Sequence, residues 1–320
     1  MQLTTLQTTI PLITALLFIT TTHAWGSLGH RTTTALSLLY IPPWHPAHTL
    51  LSMLLHNQDP TTAALFPDRI RYIPSFAYTA PWHYIDAQDN PPHECGINLT
   101  RDCLPDEGCV VTAIANHTDR VRDLTLPLWQ RGQSLRFMLH FFGDVHQPLH
   151  TENLSRGGNE IDVVFDGVKH NLHSVWDTLM PKKIVELAAQ ASRFDVKWDL
   201  KNETQAAYAW AKFLYVRYRD DQRVGERVRD VCVRDAVECS LGWAEEANAW
   251  VCGYVFKGGV EELQELDLGG EYFDGAVPIV EEMIVKGGRR LARWLMVIAE
   301  ELEEDARRGG LENDIVVQEL

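Results

Sequence analysis

The chain has 320 residues, 45% of them apolar, and a formal net charge of −15. That charge excludes nucleic-acid binding through a general basic surface. It leaves a phosphate-bearing substrate open, because bound divalent cations add positive charge that a count of side chains omits.

Residues 1–24 carry an apolar stretch, Ile10 to Ile19, too short to cross a bilayer, which needs ~20 residues. Thr22-His23-Ala24 puts small residues at −3 and −1, as a secretory signal peptide does, although no Lys or Arg precedes the stretch. Cleavage is expected after Ala24, giving a secreted, extracellular product. No later segment is long and apolar enough to span a membrane, and none signals an obligate protein partner.

Residues 25–303 hold no linker, repeat or low-complexity tract and read as one domain; 304–320 read as a mobile acidic tail. Apolar residues recur every three and four positions over 33–40, 48–55, 112–129, 131–145, 179–192, 203–218, 240–256 and 278–303. The fold class is therefore all-α, with Asp199 or Asn202 placed to cap the 203–218 helix. One exception is a small β-hairpin: IDVVF, then Asp166-Gly167, then VKHNLH. Segment 86–109, with a Pro pair and three cysteines, reads as a stapled loop.

Six cysteines, Cys95, Cys103, Cys109, Cys232, Cys239 and Cys252, lack C-x-x-C spacing and suit disulfides in an oxidising compartment, with connectivity open. Glycosylation acceptors stand at Asn98, Asn116, Asn153 and Asn202.

The chemistry-bearing pattern lies at 140–177. His140 and Asp144 are four apart, as are His173 and Asp177, so each pair shares a helix face one turn apart. His150 follows just past Pro148, where the chain turns and brings a further imidazole back. Two such pairs plus a flanking His point to a multinuclear metal site. If cleavage frees Trp25, its α-amine (ordinary pKa ~7.7–8.0) can lose its proton and ligate an ion together with His30.

An ordered set of motifs accompanies this pattern. It comprises Trp25-Gly-Ser-Leu-Gly-His30, Pro67-Asp68-x-x-Arg71, Pro81-Trp-His83-Tyr84-Ile-Asp86, His140-x-x-x-Asp144-x-x-Gln-Pro-Leu-His150, Gly157-Gly-Asn159 and Asn171-Leu-His173-x-x-x-Asp177. From Trp25 to about Cys252 the chain resembles the zinc-dependent, single-strand-specific nucleases of fungi and plants, the nuclease S-one/P-one type. The fungal branch is closest, through DNPPHECGINLTRDC and WAEEANAWVC. The resemblance implies an all-α domain of the phospholipase C/single-strand nuclease type with three zinc ions.

It also implies roles. Trp25, His30 and Asp144 would hold one zinc; Asp68, His83 and His140 a second, bridged by Asp144; His150, His173 and Asp177 a third. Asp68, Arg71 and Asn159 would be catalytic, with Arg71 on the scissile phosphate, since a guanidinium fork matches phosphate in a way a lysine does not. Tyr84 and Asp86 would form a base site by stacking and by accepting N–H donors. The implied pairs are Cys95–Cys252 and Cys103–Cys109, which leaves Cys232 and Cys239. The implied activity is hydrolysis of single-stranded DNA and RNA to 5′-phosphate products by zinc-activated water, with a 3′-nucleotidase activity on 3′-nucleotides.

This chain departs at Val175, where relatives often carry Asp, and at His146, an added imidazole read as lying outside the metal shell. Phospholipase C-like cleavage fits less well, because Asp177 stands where that relative uses Glu and PWHYID would have no purpose. A non-catalytic zinc or nucleotide binder would lack a ligand or Arg71, and neither is missing.

Overall fold

The structure, a computed structural model, describes residues 25–191, 197–220 and 230–308. Residues 1–24, read from the sequence as a signal peptide, and 309–320, read as part of a tail, lie outside them. The described residues form a mainly helical single domain with one two-stranded antiparallel hairpin. None of its helices is long and apolar enough to cross a membrane.

The Ser27–Tyr40 helix packs against Glu203–Tyr218 and against the long Glu271–Arg308 helix. Leu128–Asp144 packs against Val110–Arg122, which Ala236–Trp250 covers in turn. Apolar side chains gather in two buried clusters. One contains Phe137, Phe141, Phe142 and Trp294; the other contains Trp25, Trp176, Trp210 and Phe273. Each large side chain removed from water contributes roughly 1.5–3 kcal/mol. The candidate metal ligands come from elements of both clusters.

Local chemistry explains the boundaries. Asn202, not Asp199, caps its helix, its side chain accepting the Gln205 N–H at 3.2 Å. The helical period over 112–129 breaks at Arg122, where the Asp123 carboxylate accepts the Thr125 N–H at 2.9 Å and Pro127 precedes the next helix. The C-terminal helix continues through Arg308, five residues into the segment read as tail, carried by the pairs Glu303–Arg307 at 2.8 Å and Glu304–Arg308 at 2.6 Å. Periodicity gave no sign of the 3₁₀ run Pro74–His83, which delivers His83.

The hairpin pairs Asp162–Phe165 with Val168–Asn171 in the register Asp162↔Asn171. Asp166 (φ 50°) and Gly167 (φ 76°) both adopt the left-handed region that a two-residue turn of this kind needs. The Asp267 carboxylate accepts both their N–H groups, at 2.9 and 2.8 Å, and holds the tip down. Three disulfides close the chain: Cys95–Cys252, Cys103–Cys109 and Cys232–Cys239.

His117 lies buried in an aromatic nest, stacked on Phe137 at 4.4 Å, with neither ring nitrogen hydrogen-bonded. Burial, reinforced by Arg120, pushes its pKa down to about 3. Between that value and the unfolded ~6.5 the unfolded chain binds the extra proton, so this residue costs stability as pH falls through that window. His117→Phe keeps the stack and removes the cost. Urea unfolding should then show a gain for the variant that is larger at pH 4.5 than at pH 8 by on the order of 3 kcal/mol; equal gains at both pH values would contradict this.

Candidate metal centre and cleft

The Leu128–Asp144 helix places His140 and Asp144 on one face, Nε2 of His140 lying 3.3 Å from Oδ2 of Asp144. The helix ends there, so the fully buried Asp144 carboxylate faces the negative end of the helix dipole. A buried anion in that position needs a cation. His83, closing the 3₁₀ run, brings Nδ1 to 3.0 Å from Asp144 Oδ2. Asp68, on the short Phe66–Ile70 helix, sets Oδ1 3.7 Å from His140 Nε2 and 3.9 Å from His83 Nδ1.

His30 comes from the first helix. Its Nε2 is 3.4 Å from Asp144 Oδ1, and its ring stacks on His140 at 3.7 Å. Gly143 makes this approach possible: a Cβ there would stand 2.5 Å from His30 Nδ1. Trp25 is buried, and the Gly26 N–H donates to the Asp177 carbonyl at 2.6 Å, which runs the N-terminal segment beside the centre.

The remaining residues form a further group. Asn171 ends the hairpin and caps the next turn by accepting the Ser174 N–H at 2.7 Å. His173 follows it, and Asp177 lies in a π-helical stretch, Val175–Leu179. Despite the wider turn, His173 Nε2 sits 2.9 Å from Asp177 Oδ2, without the alignment of a hydrogen bond. His150 returns on the 3₁₀ turn Pro148–Thr151, with Nε2 4.0 Å from Asp177 Oδ2.

Three buried groups result: His30, Asp68 and His140; His83, His140 and Asp144; His150, His173 and Asp177. Within each, the candidate ligand atoms lie within 4.8 Å of one another. The resemblance set His30 with Trp25 and Asp144; here His30 reaches Asp144 and also groups with Asp68 and His140. The last trio is the one the motifs imply.

Backbone carbonyls orient three of the imidazoles. Nδ1–H of His140 donates to Ala64 at 2.7 Å, that of His150 to His83 at 2.6 Å, and that of His173 to Gly157 at 2.6 Å. A carbonyl only accepts, so each Nδ1 keeps its proton and each Nε2 is the nitrogen left to face the carboxylates. Gln147 adds a contact that the motif reading left unassigned: its amide donates to Asp177 Oδ1 while its carbonyl oxygen accepts the Leu149 N–H at 2.5 Å. A Gln held between two ligand positions and directly before Pro148 is the signal that could have flagged it.

The electrostatics of these groups favour a bound cation. Burial, with Asp68 and Asp177 nearby, pushes Asp144 well above the carboxylate range. Burial likewise drives His83 and His140 well below the usual imidazole value. Burial also opposes ionisation of Asp177, but His173 and His150 outweigh it and hold the group at about 2. Buried carboxylates facing imidazole nitrogens, with no thiolate, form a donor set that fits hard or borderline divalent cations.

His150 and His173 also line a cleft with Arg71, Tyr84, Asp86, Asn153, Arg156 and Asn159. The 84–87 stretch reaches it through strand-like bonds, Ile85 N–H to the His150 carbonyl at 2.9 Å and Asn153 N–H to the Ala87 carbonyl at 3.2 Å. Burial disfavours the Arg71 charge, but Asp68, with Oδ1 3.7 Å away, and the Tyr72 hydroxyl at 3.0 Å stabilise it. Burial, then repulsion from Asp102, raises Asp86 to about 6, and Arg156 offsets part of that rise.

Asn159 follows a left-handed turn in which Ser155, Arg156, Gly157 and Gly158 all have positive φ. Its amide donates to the Arg156 carbonyl at 2.7 Å, so one N–H is committed to the turn and one remains. Gly157 suits its place, since a Cβ there would meet the Leu149 carbonyl oxygen at 2.5 Å. His146 lies outside the ligand set: Nδ1–H donates to Phe142 at 2.7 Å, and Nε2 accepts from Arg290 at 2.8 Å. Val175 is buried core.

A helical domain that buries three adjoining His/Asp groups and opens one of them, through His150 and His173, to an arginine-bearing cleft is built for metal-assisted chemistry on an anionic substrate. Residues 25–300 match the family described as S1/P1 Nuclease. The chain is 35% identical to Nuclease S1 of Aspergillus oryzae over 285 residues, 87% of this chain and 93% of that protein. It is 35% identical to Nuclease P1 of Penicillium citrinum over 276 residues (85% and 96%), and 31% identical to Endonuclease 1 of Arabidopsis thaliana over 290 residues (87% and 88%). The chain belongs to the S1/P1 nuclease family and is a phosphodiester-cleaving hydrolase.

Proposed function

We propose that the protein is a secreted, three-zinc endonuclease that cleaves single-stranded DNA and RNA to 5′-phosphate products and removes the phosphate of 3′-nucleotides. One observation carries the reading: His150 and His173 line the same cleft as Arg71, Tyr84 and Asp86, so a metal held by those imidazoles would meet a phosphate whose base lies on Tyr84. Zinc bound there supplies Lewis acidity, which lowers the pKa of the attacking water and stabilises charge on the phosphoryl oxygens.

Asp68, His83 and His140, with Asp144, would hold one ion; His30, Asp144 and the freed Trp25 amine a second; His150, His173 and Asp177 the third. Arg71 donates to the scissile phosphate and steadies its developing charge. The remaining N–H of Asn159 donates to the same group. Tyr84 stacks one base and Asp86 accepts from its N–H donors, which requires the base to leave its duplex. Secretion and glycans at Asn98, Asn116, Asn153 and Asn202 are consistent with the three disulfides; all four acceptors are exposed.

Tyr84→Ala separates binding from chemistry. Losing a stacked base costs ~1–3 kcal/mol, so kcat/KM on oligonucleotides should fall roughly tenfold or more. A small phosphodiester without a base should be cleaved nearly as before. Equal losses on both substrates would place Tyr84 in support of His83 and overturn the base site.

A further inference from the structure

The cleft contains a second arginine to which the reading above gives no task. Arg156 lies in the left-handed turn at φ 55°, ψ 55°, a conformation unfavourable for a residue with a side chain. The turn is over-determined. Arg156 N–H donates to the Asn153 carbonyl at 2.9 Å, and the Arg156 carbonyl accepts from the Asn159 amide at 2.7 Å. Gly157, next in the chain, receives the Nδ1–H of His173 on its carbonyl.

The guanidinium so presented is exposed, and it lines the cleft together with Tyr84 and Asp86. Its ion pair with Glu160 spans 3.7 Å between two solvent-exposed side chains, a tether worth little. Arg156 therefore stands beside the base site with donors to offer.

We propose that Arg156 and Asp86 together read the edge of the base on Tyr84, and that the base they select is guanine. The inference rests on the base-site reading of the cleft. An ionised Asp86 has acceptors only, and Arg156 has donors only. Guanine places two donors, N1–H and N2–H, side by side for a carboxylate, with the acceptor O6 next to them for a guanidinium. Adenine sets bare N1 beside its amino group, and cytosine sets bare N3 there, so either turns a lone pair toward the carboxylate. Uracil offers one N–H between two carbonyls, which engages one carboxylate oxygen and repels the other. Guanine alone satisfies both side chains.

The test compares kcat/KM for 3′-GMP, 3′-AMP, 3′-CMP and 3′-UMP at neutral pH with the zinc-loaded enzyme. The wild type should favour 3′-GMP over 3′-AMP by roughly tenfold, the discrimination a paired contact of this kind gives. Arg156→Ala should lower that ratio severalfold without abolishing it, since Asp86 still accepts both guanine donors, and Arg156→Lys, which keeps a donor, should restore part of the loss. A wild type with no guanine preference, or an Arg156→Ala enzyme that loses equally on all four nucleotides, overturns the proposal. Tyr84→Ala identifies which reading has failed. If it weakens all four nucleotides while sparing a base-free ester, the base site stands and only the guanine reading is lost. If it weakens the base-free ester equally, the base site itself is wrong and the guanine reading goes with it.

Discussion

Asp144→Asn should abolish hydrolysis, by on the order of 10³-fold or more, while leaving the fold intact. Asn fills the same space on the last turn of the Leu128–Asp144 helix but carries no charge. Asp144 reaches His30, His83 and His140 within 3.4 Å, so one substitution weakens every candidate group that draws on those imidazoles. Stability should move the other way. Without metal the wild type buries a carboxylate that its surroundings drive toward protonation, so the metal-free variant should be at least as stable. With zinc, only the wild type should gain the full stabilisation that comes from binding the folded state alone. Melting curves with and without zinc, beside the metal content of each form, read both effects. An Asn variant that keeps full zinc content and zinc-dependent stabilisation would remove Asp144 from the ligand set.

Arg71→Lys should retain the metals and the fold yet lose roughly 10²- to 10³-fold in kcat, the loss typical when a charge-stabilising donor is removed from a transition state. The positive charge persists, but the paired N–H geometry toward phosphate does not. Arg71 is nearly buried beside Asp68 and Tyr72, which restricts where a shorter ammonium group can reach. Because the loss falls on the transition state, KM should change far less than kcat. A variant with unchanged kcat would reduce Arg71 to a partner of Asp68.

The centre was legible where chemistry depends on spacing. His140-x-x-x-Asp144 and His173-x-x-x-Asp177 declare a shared face from residue type and register, and the second pair meets even across a π-helical stretch. The Asp166-Gly167 hairpin was equally readable, because few other residues tolerate both positive φ values. Membership of each metal group was less so. His30 lies more than a hundred residues from Asp144 in sequence, and its approach depends on the missing side chain of Gly143, a packing fact with no periodicity. The three orienting carbonyls and Arg156 were hidden for a related reason. Hydrogen bonds to backbone carry no residue-type signal, and a left-handed turn containing Ser155 and Arg156 is set by its surroundings rather than by propensity. The break at Asp123 and the helical run through Arg308 were local effects, an Asx turn and i,i+4 ion pairs, that a search for apolar periodicity passes over.

The most direct test of the whole account is metal analysis of the purified protein paired with cleavage of one oligonucleotide sequence as a single strand and as a duplex. The account predicts three zinc ions per chain, much faster cleavage of the single strand, and loss of that activity on chelation with recovery when zinc is returned. A protein that cleaves without bound metal, or that cuts the duplex as fast as the single strand, would contradict it.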